Sequence, residues 1–132
     1  MPIVSWNSFA SVSAFDEALD RALRQSAARA LETHAELVGV WLFGSRARGE
    51  AGARSDVDLL LLASRARPRM MDRLLDYGDL LEGIPAPVDL LVLTPQELAD
   101  HRDEPFYRRL LREARPLACR DGATVPRELA CT

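Results

Sequence analysis

The sequence contains no lysine: all 17 basic residues are arginine, set against 20 acidic ones for a formal charge of −3. That absence excludes a Schiff-base lysine, a lysine general base and a lysine-bearing Walker A loop. Cysteine is scarce too. Cys119 and Cys131 form no zinc spacing with His34 and His101; they could pair, but two cysteines without a secretory signal more often stay reduced. Long apolar runs are missing. The longest, residues 37–44 and 59–63, fall well short of the ~20 residues that span a bilayer. The N-terminal residues 1–6 lack a basic stretch followed by an apolar core, so cytoplasmic residence is expected. An isoelectric point near 5.4 argues against a dedicated nucleic-acid binder. What remains is a 132-residue chain, 48 % hydrophobic, which fits one soluble domain with a single core.

The periodicities predict an α/β (α+β) fold, with a small mixed β-sheet flanked by helices. Ser13 followed by Asp16 reads as a helix start, and Phe15, Leu19, Ala22, Leu23 and Ala30 recur at helical spacing, predicting a helix over 14–35. Residues 37–43, apolar on both faces and ending at Gly44, read as a buried strand. Residues 56–63 read as a second strand and 88–93 as a third. Met70, Leu74, Tyr77, Leu81 and Ile84 form the stripe of a second long helix that stops near Gly83. Thr94-Pro95-Gln96-Glu97 is a capping-box start. A further helix follows Pro105, and a short edge strand lies near Leu117. The expected organisation is one domain over 1–132, with a core of about 14–119 and a tail at 120–132.

The anomaly lies in charges placed where a core should be. Asp56 and Asp58 share one face of the second strand, because strand side chains alternate, and Leu60 and Leu62 continue that face into apolar surroundings. Paired carboxylates on a mostly buried strand are costly unless a cation neutralises them. Asp89 repeats the pattern between Val88 and Leu90. If the second and third strands are neighbours, the three carboxylates form an all-oxygen site suited to Mg²⁺ or Mn²⁺; two such ions suit phosphoryl or nucleotidyl transfer. Upstream, Gly44-Ser45 ends a strand and opens an expected short helix, whose free N–H groups and serine hydroxyl suit an anion. Arg46 and, less favoured, Arg48 could add forked donors to a polyphosphate. Ten residues separate Ser45 from Asp56, with Gly49 and Gly52 easing the return. Ser55 is a turn or capping residue whose hydroxyl could support the site.

This composite, Gly44-Ser45, ten residues, Asp56-Val57-Asp58 and then Asp89 within an apolar strand, resembles the minimal nucleotidyltransferase branch of the DNA polymerase β-like superfamily over residues 37–93. The resemblance implies that Gly44 and Ser45 hold a triphosphate, and that Asp56, Asp58 and Asp89 are the catalytic, metal-binding set, with Asp89 also placed to orient or deprotonate an acceptor hydroxyl. It further implies two Mg²⁺ (or Mn²⁺) ions, ATP as substrate, and an AMP group moved to a hydroxyl. In related toxin–antitoxin pairs the minimal nucleotidyltransferase is an antitoxin that adenylylates a tyrosine of a helical HEPN ribonuclease toxin. A small-molecule transferase of the aminoglycoside type, acting as a homodimer, and a non-catalytic antitoxin that works by binding alone are the alternatives.

Simpler roles stand beside these. Arg46 and Arg48 also read as solvated charges, and Arg65, Arg67 and Arg69 as a polar connector. His34 lies near a helix C-terminus, where the dipole favours it, and His101 reads as solvated. Tyr77 and Trp41 read as core. Glu50 and Ala51, where a Walker A loop needs lysine and a hydroxyl residue, exclude that motif, and Leu59–Leu62 exclude an EF-hand.

Overall fold

The computed structural model describes residues 6–49 and 56–131, with side chains from Asp16 onward. The chain runs through α1 (Trp6–Thr33), β1 (Leu37–Phe43), β2 (Val57–Ala63), α2 (Met70–Asp76), β3 (Val88–Leu93), α3 (Pro95–His101), α4 (Pro105–Glu113) and β4 (Arg115–Cys119). One four-stranded sheet has the order β3-β2-β1-β4. β1 is antiparallel to both β2 and β4, while β2 and β3 run parallel. The expected small mixed sheet flanked by helices is therefore present.

The central strands are apolar on both faces because helices cover both. On one side, Leu19, Leu23, Ala27 and Ala30 of α1 pack with Val40, Leu42, Val57, Leu59 and Leu61. On the other, Leu98 of α3 and Leu110 and Leu111 of α4 pack with Trp41, Phe43, Leu60 and Leu62. The Trp41 ring lies over Gly39, where a Cβ would sit 2.6 Å from it, so a side chain at that bulged position would displace the ring.

α1 begins at Trp6, upstream of the expected start at Ser13, since no glycine or proline interrupts residues 6–33. It ends near the predicted place. The Arg120 guanidinium donates to the carbonyls of Leu31 (2.7 Å), His34 (3.1 Å) and Leu37 (3.0 Å), which satisfies carbonyls a helix C-terminus leaves open. The second long helix is broken in two: α2 stops at Asp76, and a 3₁₀ turn follows at Gly78–Leu81. Gly78, a weak helix former, sits at the break. The buried Tyr77 there donates its hydroxyl to Glu36; burial, then that hydrogen bond, push its pKa upward. The capping box forms as read, with Thr94 accepting from the Glu97 N–H and Glu97 accepting from the Thr94 N–H.

The segment expected as a tail is packed instead. Leu129 lies fully buried in the α3–α4 layer, and its carbonyl accepts from the Trp41 indole at 2.9 Å. Cys119 and Cys131, expected as thiols, form a disulfide with their Cα atoms 6.2 Å apart. The return of 120–131 across the sheet brings them together.

Candidate active site

Strand register assembles the site. In the parallel β2–β3 pair Asp58 stands opposite Asp89, and in the antiparallel β1–β2 pair it stands opposite Phe43. Phe43 is followed by Gly44, so the turn leaving β1 lies against the aspartate pair. Gly44 has φ +79°, and a Cβ there would collide with the Asp58 carboxylate. Glycine is thus required twice, by the left-handed backbone and by the close approach. The expected short helix after Gly44 is only a turn: the Arg48 N–H donates to the Gly44 carbonyl (3.2 Å) and the Gly49 N–H to the Arg46 carbonyl (3.2 Å), before Gly49 leaves with φ +74°.

A cleft of about 510 Å³ opens over this end of the sheet. Gly44, Ser45, Arg48, Asp58 and Asp89 line it together with Phe43, Leu90, Leu91 and, from α4, Phe106, Arg109, Leu110 and Glu113. Five of the residues singled out in the sequence are therefore brought together. Asp56 lies just before β2, exposed, and its charge reaches Asp58. Arg46 lies apart, lining a separate cavity with Asp16, Asp20 and Arg115 beside α1. Arg48 lines the cleft beside the aspartates, and Arg46 lines the cavity beside α1. Ser55 and Gly52 lie outside the described residues.

Sequence reasoning missed Glu113. Its side chain, 12 % exposed, accepts from the Gly44 N–H at 2.9 Å and from the Arg48 guanidinium at 2.8 Å, with Arg109 at 3.6 Å. Burial pushes its carboxyl up. The bonds from Arg48 and Gly44, aided by the charges of Arg48 and Arg109, outweigh that and hold it below the usual carboxylate range. At the C-terminal end of an exposed, charged helix, Glu113 carries no signal apart from its i, i+4 spacing from Arg109.

Asp58 is shifted the other way. Burial, then the like charges of Asp89, Asp56 and Glu113, raise its pKa, opposed by Arg48. Among the described residues no three His, Cys, Asp or Glu side chains converge closely enough to hold a metal ion as they stand. The donor chemistry nevertheless fits a hard divalent cation: Asp58 and Asp89 are register partners on neighbouring strands, and burial, then the like charges of Asp89, Asp56 and Glu113, raise Asp58.

A glycine turn beside in-register aspartates, on a four-stranded mixed sheet between helical layers, defines the nucleotidyltransferase class. The chain belongs to the polymerase beta nucleotidyltransferase family, whose model matches residues 25–122. Its fold is similar to that of a candidate nucleotidyltransferase from Sulfolobus solfataricus (22 % identity, 87 % of this chain and 93 % of that one, TM-score 0.63). It is also similar to a chain of a toxin–antitoxin crystallised with AMP-PNP (15 % identity, 77 % and 74 % covered, TM-score 0.52). No curated protein matches the chain. Among the described residues no helix is long and apolar enough to cross a membrane.

Proposed function

We propose that this nucleotidyltransferase moves AMP from ATP to a hydroxyl, and that the acceptor is a tyrosine of a HEPN ribonuclease toxin that the chain neutralises as its antitoxin in the cytoplasm. The observation that carries the transfer reading is the register of Asp58 with Asp89 beside the Gly44 turn. The toxin–antitoxin relative crystallised with AMP-PNP supports the nucleotide and the partner class.

Each residue has a role in this reading. Asp56 and Asp58 hold Mg²⁺, and Asp89 completes the set on the acceptor side. When bound, the cation neutralises the triphosphate and polarises the reacting phosphoryl group. The Gly44 N–H, the Ser45 hydroxyl and the Arg48 guanidinium hold the phosphates; Gly44 and Arg48 now donate to Glu113, and a phosphate oxygen replaces that carboxylate. Asp89 accepts a hydrogen bond from the acceptor hydroxyl and takes its proton as the hydroxyl oxygen bonds to the α-phosphorus. The bond from the α-phosphorus to the bridging oxygen breaks, and pyrophosphate leaves with that oxygen. As in phosphoryl transfer generally, the protein contributes chiefly positioning and charge.

The test incubates the protein with α-labelled ATP, Mg²⁺ and its helical partner. Label is expected on the partner, and its loss is expected in both Asp56→Asn and Asp58→Asn. Full neutralisation of the toxin by the unlabelling variants would overturn the catalytic antitoxin. Mg²⁺ and ATP together should also raise the melting temperature more than either alone.

A further inference from the structure

The cleft is lined by two chemically different kinds of surface. Gly44, Ser45, Arg48, Asp58, Asp89, Arg109 and Glu113 make part of its lining polar, whereas Phe43, Leu90, Leu91 and the ring of Phe106 add apolar surface. Phe106 is 53 % exposed, which leaves a large aromatic surface in water at the rim of a cavity. The ring is also held in orientation. It meets Phe43 edge to face, centroids 6.2 Å apart, and Tyr107 likewise at 5.1 Å. Tyr107 in turn stacks on His101 at 5.4 Å. Edge-to-face neighbours of this kind fix a ring plane. Phe43 is also the residue that precedes Gly44, so one strand end sets both the glycine turn and the orientation of the Phe106 ring.

A ligand fitted to such a lining carries both anionic groups and a flat, weakly polar ring. We propose that Phe106 is the platform on which the base of the nucleotide stacks, a role that rests on the nucleotide-binding reading above. Stacking recognises a π-face, not a hydrogen-bonding edge. Phe106 therefore contributes affinity for any nucleobase, and discrimination between bases falls to other groups.

The experiment measures the affinity of ATP and of inorganic tripolyphosphate, each with Mg²⁺, by calorimetry for the wild type, Phe106→Leu and Phe106→Trp. Leucine keeps apolar bulk but removes the π-face; tryptophan enlarges it. Base–aromatic stacking predicts about ten-fold weaker ATP binding in Phe106→Leu, affinity restored in Phe106→Trp, and tripolyphosphate binding unchanged in both. Equal losses for ATP and tripolyphosphate would make Phe106 a structural support and overturn the platform. Unchanged ATP affinity in Phe106→Leu would overturn it too, and would assign the exposed ring to an acceptor or a second copy of the chain. If the wild type binds neither ligand, the nucleotide-binding reading itself fails. The two failures are thus distinguishable.

Discussion

Two half-buried carboxylates on the same side of the sheet meet opposite fates. Glu97, at the start of α3, receives both guanidinium nitrogens of the buried Arg73, at 2.8 and 2.9 Å, and Arg73 also donates to the carbonyls of Val92 and Arg67. The Arg73 hydrogen bonds, set against burial, pull Glu97 down to about 2. Asp58, at the other end of the same layer, has Asp89, Asp56 and Glu113 for neighbours, and burial with their charges pushes it up. The first cluster is closed upon itself and ties α2, β3 and α3 together. The second is charged in excess and open to a cleft. The contrast is what makes Asp58, and not Glu97, the candidate for binding proposed above.

The comparison breaks first at Asp58. Asp58→Asn should reduce nucleotidyl transfer by ~10³-fold or more while raising the melting temperature of the metal-free protein at neutral pH. The sign follows from linkage: a carboxyl whose folded pKa lies above its unfolded value costs stability once ionised, and that cost disappears as pH falls through the raised pKa toward 3.8. Melting curves with and without chelator, beside a labelled-ATP assay, read both effects. Falling stability together with falling activity would make Asp58 a structural residue.

Glu97→Gln should do the reverse, costing ~2 kcal/mol of stability with little effect on transfer. A fully buried pair broken on one side costs about 3–5 kcal/mol, but the Glu97 side chain is 38 % exposed and solvent screens part of the loss. Its pKa is depressed, so its contribution is complete above the ordinary 4.5 and is lost as pH falls toward about 2. Chemical denaturation at pH 7 and pH 3 should therefore separate wild type from variant at pH 7 and bring them together toward pH 3.

How much of this was legible in the sequence depends on how local each signal is. The Thr94–Glu97 capping box, the strands and the aspartate spacing are local, and each stands where the pattern put it. The juxtaposition of Asp58 and Asp89 needed only the guess that β2 and β3 are neighbours. The rest is tertiary. Arg73 stands between Asp72 and Leu74 with nothing local to mark it, and becomes a buried tie once α2 lies against β3. Leu129 is the one leucine of residues 120–132, with no periodicity to mark it as core, and the pairing of Cys119 with Cys131 depends on its return path. Which of Arg46 and Arg48 lines the cleft depends on the tight turn after Gly44, where the pattern read a short helix.

Glu113 offers the finest test, because it touches both sides of the comparison: it is paired as Glu97 is, yet it adds to the charge on Asp58. Glu113→Gln keeps an amide oxygen able to accept from the Gly44 N–H but removes the negative charge. Two changes then oppose each other at Asp58. Loss of the Glu113 charge lowers its pKa. Loss of turn geometry would act the other way by deepening burial. The amide should preserve that geometry, so the expected result is a downward shift of Asp58, followed by carboxyl chemical shifts in the metal-free protein, with a stability change of only ~1 kcal/mol. An unchanged or raised Asp58 would show that burial with the charges of Asp89 and Asp56, and not Glu113, sets its pKa.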